Sequence, residues 1–258
     1  MPTKELVSCL CITSNSPAVI SKSIACYRSQ TYVDKEMIIV YQSSVSEDTV
    51  HFLRSIKDTD IQTYEITSTN RLTLGELRNI SIEKSKGEYL CIWDDDDWYH
   101  DQRIELQVKA LQKTYKSVCL LTNLLIFDSL SGIAYYSFAR LWEGSMLFKR
   151  DIFDQGLQYY ALDKGEDTAL LARLLSRKMI YPLVEPNIYL YIYHGKNISG
   201  YEHFKKIMRQ SQQLSESAGK LIKEIAENRL SNREASDLLL RPAFLSEIDY
   251  LHSKDVVS

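Results

Sequence analysis

The chain has 258 residues, 45% apolar and 25% charged, with only nine Gly and five Pro. These proportions are ordinary for globular proteins and exclude a disordered, collagen-like or low-complexity chain. A net charge of −3, from 31 basic and 34 acidic residues, gives no reason to expect nucleic acid as a partner. Residues 6–12 (LVSCLCI) are a short apolar run rich in β-formers, which reads as a buried strand. Ser16 and Pro17 follow as N-cap and first-turn proline, and Ile20, Ile24 and Tyr27 mark one face of the helix they open. A second strand covers 36–41 (EMIIVY), a helix over 47–57 turns Val50, Leu53 and Ile56 inward, and 61–66 alternates as a third strand. Thr73 and Glu76 form a capping box that starts a helix running to about Lys86. Gly87 ends that helix, and 88–93 (EYLCIW) is the fourth strand.

The second half is less regular. A helix over 101–115 leads to one strand over 118–127, and 132–138 reads as a further strand. Residues 166–177 are helical, with Leu170, Leu171, Leu174 and Leu175 as the apolar stripe. Residues 179–193 read as extended, broken by Pro182 and Pro186, and Tyr189, Tyr191 and Tyr193 fall on one strand face, as core residues do. After Gly200 helix formers dominate. Ile207, Leu214, Ala218, Leu221 and Ile225 keep one face, and Ser231 and Glu234 cap a last helix that Pro242 kinks or ends. The expected division is therefore 1–200 as an α/β domain and 201–258 as a C-terminal helical extension.

The βαβαβαβ order with short connections predicts a Rossmann-like, mostly parallel central sheet flanked by helices. Five cysteines without a CxxC pair read as reduced, buried thiols of a cytoplasmic protein. No signal peptide is read at the N-terminus, and the longest apolar stretch, 118–127, is about half a membrane span. The expected location is cytoplasmic, or peripheral at the inner face of a membrane.

In open parallel sheets ligands bind outside the carboxyl ends of the strands. Directly after the fourth strand stand Asp94, Asp95, Asp96 and Asp97. Adjacent carboxylates repel unless a cation neutralises them. Mg²⁺ and Mn²⁺ prefer oxygen ligands and typically take one or two carboxylates plus substrate phosphates. In extended backbone Asp94 and Asp96 point the same way, toward one metal, while Asp95 and Asp97 point elsewhere. A solvated acidic turn capping the next helix is the plainer reading, but it does not need four acids. Trp93 and Trp98, which flank the acids, read as packing residues.

These motifs resemble the family-two glycosyltransferases of the GT-A fold. VSCLCITSNSP is similar to the family's VSVIIPTYNRP opening. RNISIEKSKGEYLCIWDDDDWYHDQRI is close to its aRNxgxxxakGeyixflDxDDxxxpdrl block. Gly165-Glu166-Asp167 resembles its ED motif and Tyr193-His194-Gly195 its C-terminal histidine, so the likeness runs in order over about 6–200.

The resemblance implies a role for each matching residue. Asp94 and Asp96 match the DxD acids that hold Mn²⁺ or Mg²⁺ against the donor diphosphate, and His194 the histidine that completes the metal shell. Asp95 falls at the ribose-contacting position. Thr13 and Asn15 fall where the family touches the nucleotide base, and Arg78 near base and phosphates. Asp167 matches the catalytic base, with Glu166 beside it positioning the acceptor. Trp142, Glu143 and Gly144 lie where the family has a loop beside donor and acceptor.

One departure stands out. The family carries an acid after the second strand to grip the base, where this chain has Tyr41 and Gln42. Gln42 can offer its amide to a base edge and Tyr41 a ring to stack on it. The implied activity is metal-dependent, inverting transfer of a sugar from a nucleotide-diphosphate donor, a UDP-sugar foremost, to a hydroxyl of a glycan, lipid-linked or protein acceptor. The alternatives are a non-catalytic nucleotide- or sugar-binding relative and a nucleotidyltransferase. The latter would more naturally carry a Gly-rich basic loop after the first strand, which ITSNSP is not. The basic helical tail suits peripheral membrane contact or a homodimer, as well as simple packing on the core.

Overall fold

The computed structural model describes residues 5–68 and 70–255. In chain order the first half runs β1 (Val7–Ile12), α1 (Pro17–Arg28), β2 (Lys35–Gln42), α2 (Glu47–Ser55), β3 (Ile61–Ile66), α3 (Leu74–Lys84), β4 (Tyr89–Ile92), β5 (Trp98–Tyr99) and α4 (Arg103–Gln112). The second half adds β6 (Val118–Leu121), β7 (Leu125–Asp128), β8 (Ile133–Tyr136), β9 (Leu147–Lys149), α5 (Asp151–Asp154), α6 (Glu166–Ser176), β10 (Ile180–Leu183) and β11 (Tyr189–Tyr193). The tail contributes α7 (Tyr201–Gln210), β12 (Gln212–Gln213), α8 (Glu216–Ala226), α9 (Asn232–Leu239) and α10 (Pro242–Asp255).

The main sheet has the strand order β10-β6-β9-β4-β1-β2-β3. β1 pairs in parallel with β2 and β4, and β2 with β3, while β9 alone runs antiparallel, between β4 and β6. β1, β2 and β4 are buried on both faces, as a sheet covered by helices requires. A second, five-stranded sheet, β12-β8-β7-β11-β5, lies at the edge of the site and is fixed by β11 pairing with both β7 and β5.

The expected single strand over 118–127 is two strands in different sheets. Between them Asn123 turns inward and donates to Ser137 O (3.0 Å), while Leu124 N donates to Ser137 Oγ (2.8 Å). Polar Thr122 and Asn123 mark the break, because a buried turn must satisfy its backbone with side chains. Leu175 is 50% exposed and does not belong to the inward stripe of α6, unlike Leu170, Leu171 and Leu174. Pro182 sits in β10, an edge strand, where a missing N–H costs no ladder bond. Pro242 neither kinks nor ends a helix: it opens α10, at a first-turn position that proline tolerates.

The C-terminal helices pack on the same body. Phe204 of α7 stacks 4.8 Å from Tyr191 and 4.5 Å from Tyr193. Asn232 at the start of α9 donates to Tyr99 O (3.1 Å) and accepts from Cys26 Sγ (3.4 Å). His100 Nε2 lies 3.2 Å from Ser236 O. All five cysteines are buried and unpaired. Burial pushes the Cys26 and Cys119 thiols up to about 12, which leaves them protonated and inert. No helix among the described residues is long and apolar enough to cross a membrane.

Candidate active site

The carboxyl ends of β1, β2 and β4 open onto a cleft of about 660 Å³. Thr13 and Asn15 reach it from the end of β1, Gln42 from β2, Arg78 from α3, Asp94–Asp97 from β4, and Glu166 and Asp167 from the start of α6. Convergence of these chain positions follows from the parallel topology, which puts every strand end on one side.

Residues 95–97 form a turn rather than extended backbone, so the four carboxylates leave in four directions instead of two. Asp94 Oδ1 lies 3.4 Å from Arg78 Nη2. Asp95 accepts from Thr13 Oγ1 in a short bond and from Asn15 Nδ2 at 3.0 Å. Asp96 Oδ2 meets His194 Nε2 at 3.0 Å and Asn197 Nδ2 at 3.1 Å. Asp97 is withdrawn, accepting from Tyr189 Oη (2.6 Å) and Ile192 N (2.9 Å). Asp97 therefore ties the acidic turn to β11, and Asp95 ties it to the loop after β1.

Crowding shows in the acidities. Desolvation and the Asp96 carboxylate push Asp95 up to about 7, against the bonds from Thr13 and Asn15. Asp94 is raised by desolvation, an effect that Arg78 opposes and Asp96 and Asp167 reinforce. Burial and the charges of Asp96 and Asp94 raise Asp97 well above the carboxylate range. Glu166 is raised by burial, with Arg78 opposing.

Arg78 is the buried counter-charge of the cleft, its Nε 3.1 Å from Glu166 Oε1. Glu166 thus holds Arg78 in place. Asp167, in the first turn of α6, is half-buried at the cleft wall and accepts from its neighbour Thr168 N (2.7 Å). Gly165, immediately before, takes a left-handed conformation (φ 78°) that swings α6 toward the cleft and that most side chains resist.

Trp142, Glu143 and Gly144 do not line the cleft; they stand behind it. A Cβ on Gly144 would come within 3.1 Å of Asp94 Oδ2 and 3.0 Å of Tyr189 Oη, so the turn Glu143–Ser145 backs directly onto the acidic segment. Glu143 pairs with Arg140 and accepts from Thr168 Oγ1 (3.3 Å). Tyr41 is fully buried and unavailable to stack on a ligand. In the amide orientation that satisfies both groups, Gln42 accepts from Leu72 N (3.0 Å) and donates to Leu72 O (3.2 Å), so it braces the far wall of the cleft. Sequence reasoning missed Asn197, whose side chain bridges Asp96 and Ile192 O, and Arg71, whose ion pair with Asp163 (3.0 Å) spans two segments of the cleft wall. An Asn in a Gly-Lys-Asn turn and an exposed Arg carry no local signal of such placement. Tyr191 also lines the cleft, while Tyr189 and Tyr193 are core residues as expected.

No group of three or more His, Cys, Asp or Glu among the described residues closes into a metal cage. Mg²⁺ and Mn²⁺ do not require one, since substrate phosphates and waters complete their shells. The paired Asp96 and His194, with the under-compensated Asp94 alongside, are a donor set that fits such an ion.

Comparison with known proteins agrees with this architecture. The model of "Glycosyl transferase family 2" matches residues 8–166, which include most of β1, strands β2 to β9, Arg78 and the acidic turn; Asp167, His194 and β10 to β12 lie beyond the matched span. The chain is 27% identical over 224 residues, 81% of its length and 86% of the other's, to UDP-Glc:alpha-D-GlcNAc-diphosphoundecaprenol beta-1,3-glucosyltransferase WfaP of Escherichia coli. Among solved structures, S. aureus TarS 1-349 in complex with UDP superposes with a TM-score of 0.61 at 14% identity, covering 93% of this chain and 76% of that one. Mannosyltransferase PcManGT from Pyrobaculum calidifontis, in complex with GDP-Man and Mn2+, gives 0.59 at 14% identity over 92% and 73%. The chain belongs to glycosyl transferase family 2 and is a glycosyltransferase with the GT-A fold.

Proposed function

We propose that the chain transfers a sugar, with inversion, from a UDP-sugar to a hydroxyl of a lipid-diphosphate-linked glycan, with a divalent metal in the cleft. The observation that carries this reading is the gathering of Asp94–Asp97, Glu166 and Asp167 in one cleft, with Arg78 bridging Asp94 (3.4 Å) and Glu166 (3.1 Å). Likeness to WfaP over most of both chains supports the donor and the acceptor class. The UDP and Mn2+ complexes of the two structural neighbours support the nucleotide and the metal.

Asp94, Asp96 and His194 would hold Mn²⁺ or Mg²⁺, which supplies charge stabilisation to the departing diphosphate. Arg78 is placed to bind a phosphate oxygen, and Glu166 fixes its orientation. Thr13, Asn15 and Asp95 form a hydrogen-bonding shelf beside the strand ends for the nucleoside. Asp167 takes the proton from the acceptor hydroxyl as its oxygen bonds to the sugar's anomeric carbon and the bond to the diphosphate breaks. Attack from the face opposite the leaving group inverts that carbon.

Product stereochemistry tests the reading. Purified protein, Mn²⁺ and an α-linked UDP-sugar should give a β-linked product on a synthetic N-acetylglucosaminyl diphosphate acceptor, seen in the anomeric proton coupling. An α-linked product would refute the single-base mechanism.

A further inference from the structure

Three large apolar side chains stand out in water in the segments that follow β7 and β11, beside the cleft: Leu130 (67% exposed), Ile198 (60%) and Tyr201 (51%). Leu130 follows β7, while Ile198 and Tyr201 follow β11, and both segments adjoin the end of β11. β7 and β11 are parallel neighbours, and Ser129 N, just past β7, donates to Tyr193 O (2.9 Å). The Leu130 side chain lies beside Gly195, where an added Cβ would meet its Cδ1 at 3.5 Å. The Tyr201 ring stands 6.1 Å from that of Tyr193. Ile198 itself lines the cleft.

The outward position of Leu130 is built rather than incidental. Asp128 accepts from Leu130 N (3.0 Å) and Ser131 Oγ (2.6 Å), and Gly132 N closes the turn onto Asp128 O (2.8 Å). A fixed turn that presents leucine to solvent forgoes the burial that leucine ordinarily gains. Single exposed apolar residues are common, but three in one patch at the mouth of a site point to an interaction surface.

The charges around the patch define its partner. Residues 194–210 hold Lys196, Lys205, Lys206 and Arg209 against one acid, Glu202. Lys205 Nζ lies 5.4 Å over the Tyr201 ring and 3.7 Å from Glu202 Oε1. The chain as a whole is acidic, so this excess of cations is local. Aromatic and aliphatic side chains on a segment rich in Lys and Arg are what binds the interfacial layer of an anionic bilayer, apolar groups entering the headgroup boundary and cations meeting the lipid charge.

We propose that this rim docks the protein on an anionic lipid surface, seating the cleft mouth where a lipid-linked acceptor presents its sugar. The proposal rests on the acceptor class given above. Docking also accounts for the position of the patch, since a lipid-anchored substrate cannot leave the bilayer to reach a cleft that faces away from it.

Vesicle sedimentation of the full chain tests it. The protein should pellet with vesicles containing phosphatidylglycerol and not with pure phosphatidylcholine, and high salt should release it. Leu130→Ser with Tyr201→Ser should weaken vesicle binding about tenfold. Lys206→Glu should weaken it at least about fivefold. The UDP-induced rise in melting temperature should stay unchanged in both variants, which also reports that they fold. Equal pelleting with both vesicle types, or full binding by the variants, would overturn the proposal. So would a concentration-dependent dimer that the double variant dissolves, which would assign the rim to a second copy. Loss of the nucleotide response in the wild type, with vesicle binding intact, would instead refute the transferase reading.

Discussion

The two sides of the segment that follows β4 obey opposite rules. Behind it, Arg103 is fully buried and its network nearly closed: Nη2 donates to Ile92 O (2.9 Å) and Gly144 O (3.5 Å), Nε to Gln107 Oε1 (3.2 Å). Gln107 in turn donates to Ser145 O (2.7 Å), and the rings of Tyr99, Tyr189 and Trp93 surround the guanidinium at 4.3, 5.0 and 5.2 Å. In front, Asp94–Asp97 crowd into one cleft with Arg78 as the buried cation among them, and burial with mutual repulsion raises the pKa of Asp94, Asp95 and Asp97. The back closes its network within the protein, while the front gathers carboxylates with raised pKa into a cleft, the mark of a candidate ligand site.

Substitutions on the two sides should therefore fail differently. The largest effect is expected in front. Asp167→Asn keeps the shape of a half-exposed side chain but removes its basicity, and should lower kcat about 10²–10⁴-fold with the melting temperature unchanged. Steady-state kinetics beside a thermal melt checks both halves, and normal turnover would place the base elsewhere. Behind the turn, Arg103→Met leaves the Ile92 carbonyl and the Gln107 amide short of a partner. It should cost about 3 kcal/mol in urea unfolding, which also spreads to activity because Gly144 and Asp94 lose their backing.

The smallest effect sharpens the contrast by its sign. Asp94, Asp95, Asp97 and Glu166 all hold protons in the folded state that the unfolded chain has already released. Stability of the protein in chelator should then fall as pH rises from about 4, the unfolded carboxylate value, through 7, near the Asp95 value. Asp95→Asn should reduce that fall and raise the melting temperature at pH 8 by a few degrees. A wild-type melting temperature that rises over this range would contradict the crowding.

Much of this contrast was legible in the sequence. Strand and helix order in the first half came through because apolar runs, the Ser16-Pro17 start and the Thr73–Glu76 box are local signals. Four acids after a buried strand pointed to the cleft for the same reason. The roles within it were less visible. Alternation along an extended strand does not describe a turn, so the separate partners of Asp94 to Asp97 had no sequence signature. Gln42 was free to be read as a base contact because its bond to Leu72 depends on a loop packing over the end of β2. Arg103 looked like one residue in a helix start; its burial depends on three rings, from the residue after β4, from β5 and from β11, that only the assembled fold brings together. The strand break at Asn123 likewise depends on Ser137, fourteen residues on.

The acidic front of the β4 end is proposed to hold a metal and a nucleotide diphosphate. The most direct measurement is the melting temperature with UDP, GDP, CDP, ADP and dTDP, each with Mn²⁺ and with EDTA, for wild type and Asp96→Ala. A native-state ligand at a hundredfold excess over Kd adds about 2.7 kcal/mol of stability. A rise of several degrees is expected with UDP, one that needs Mn²⁺ and vanishes in Asp96→Ala. No rise with any nucleotide in the folded wild type, or an equal rise in EDTA and in the variant, would contradict it.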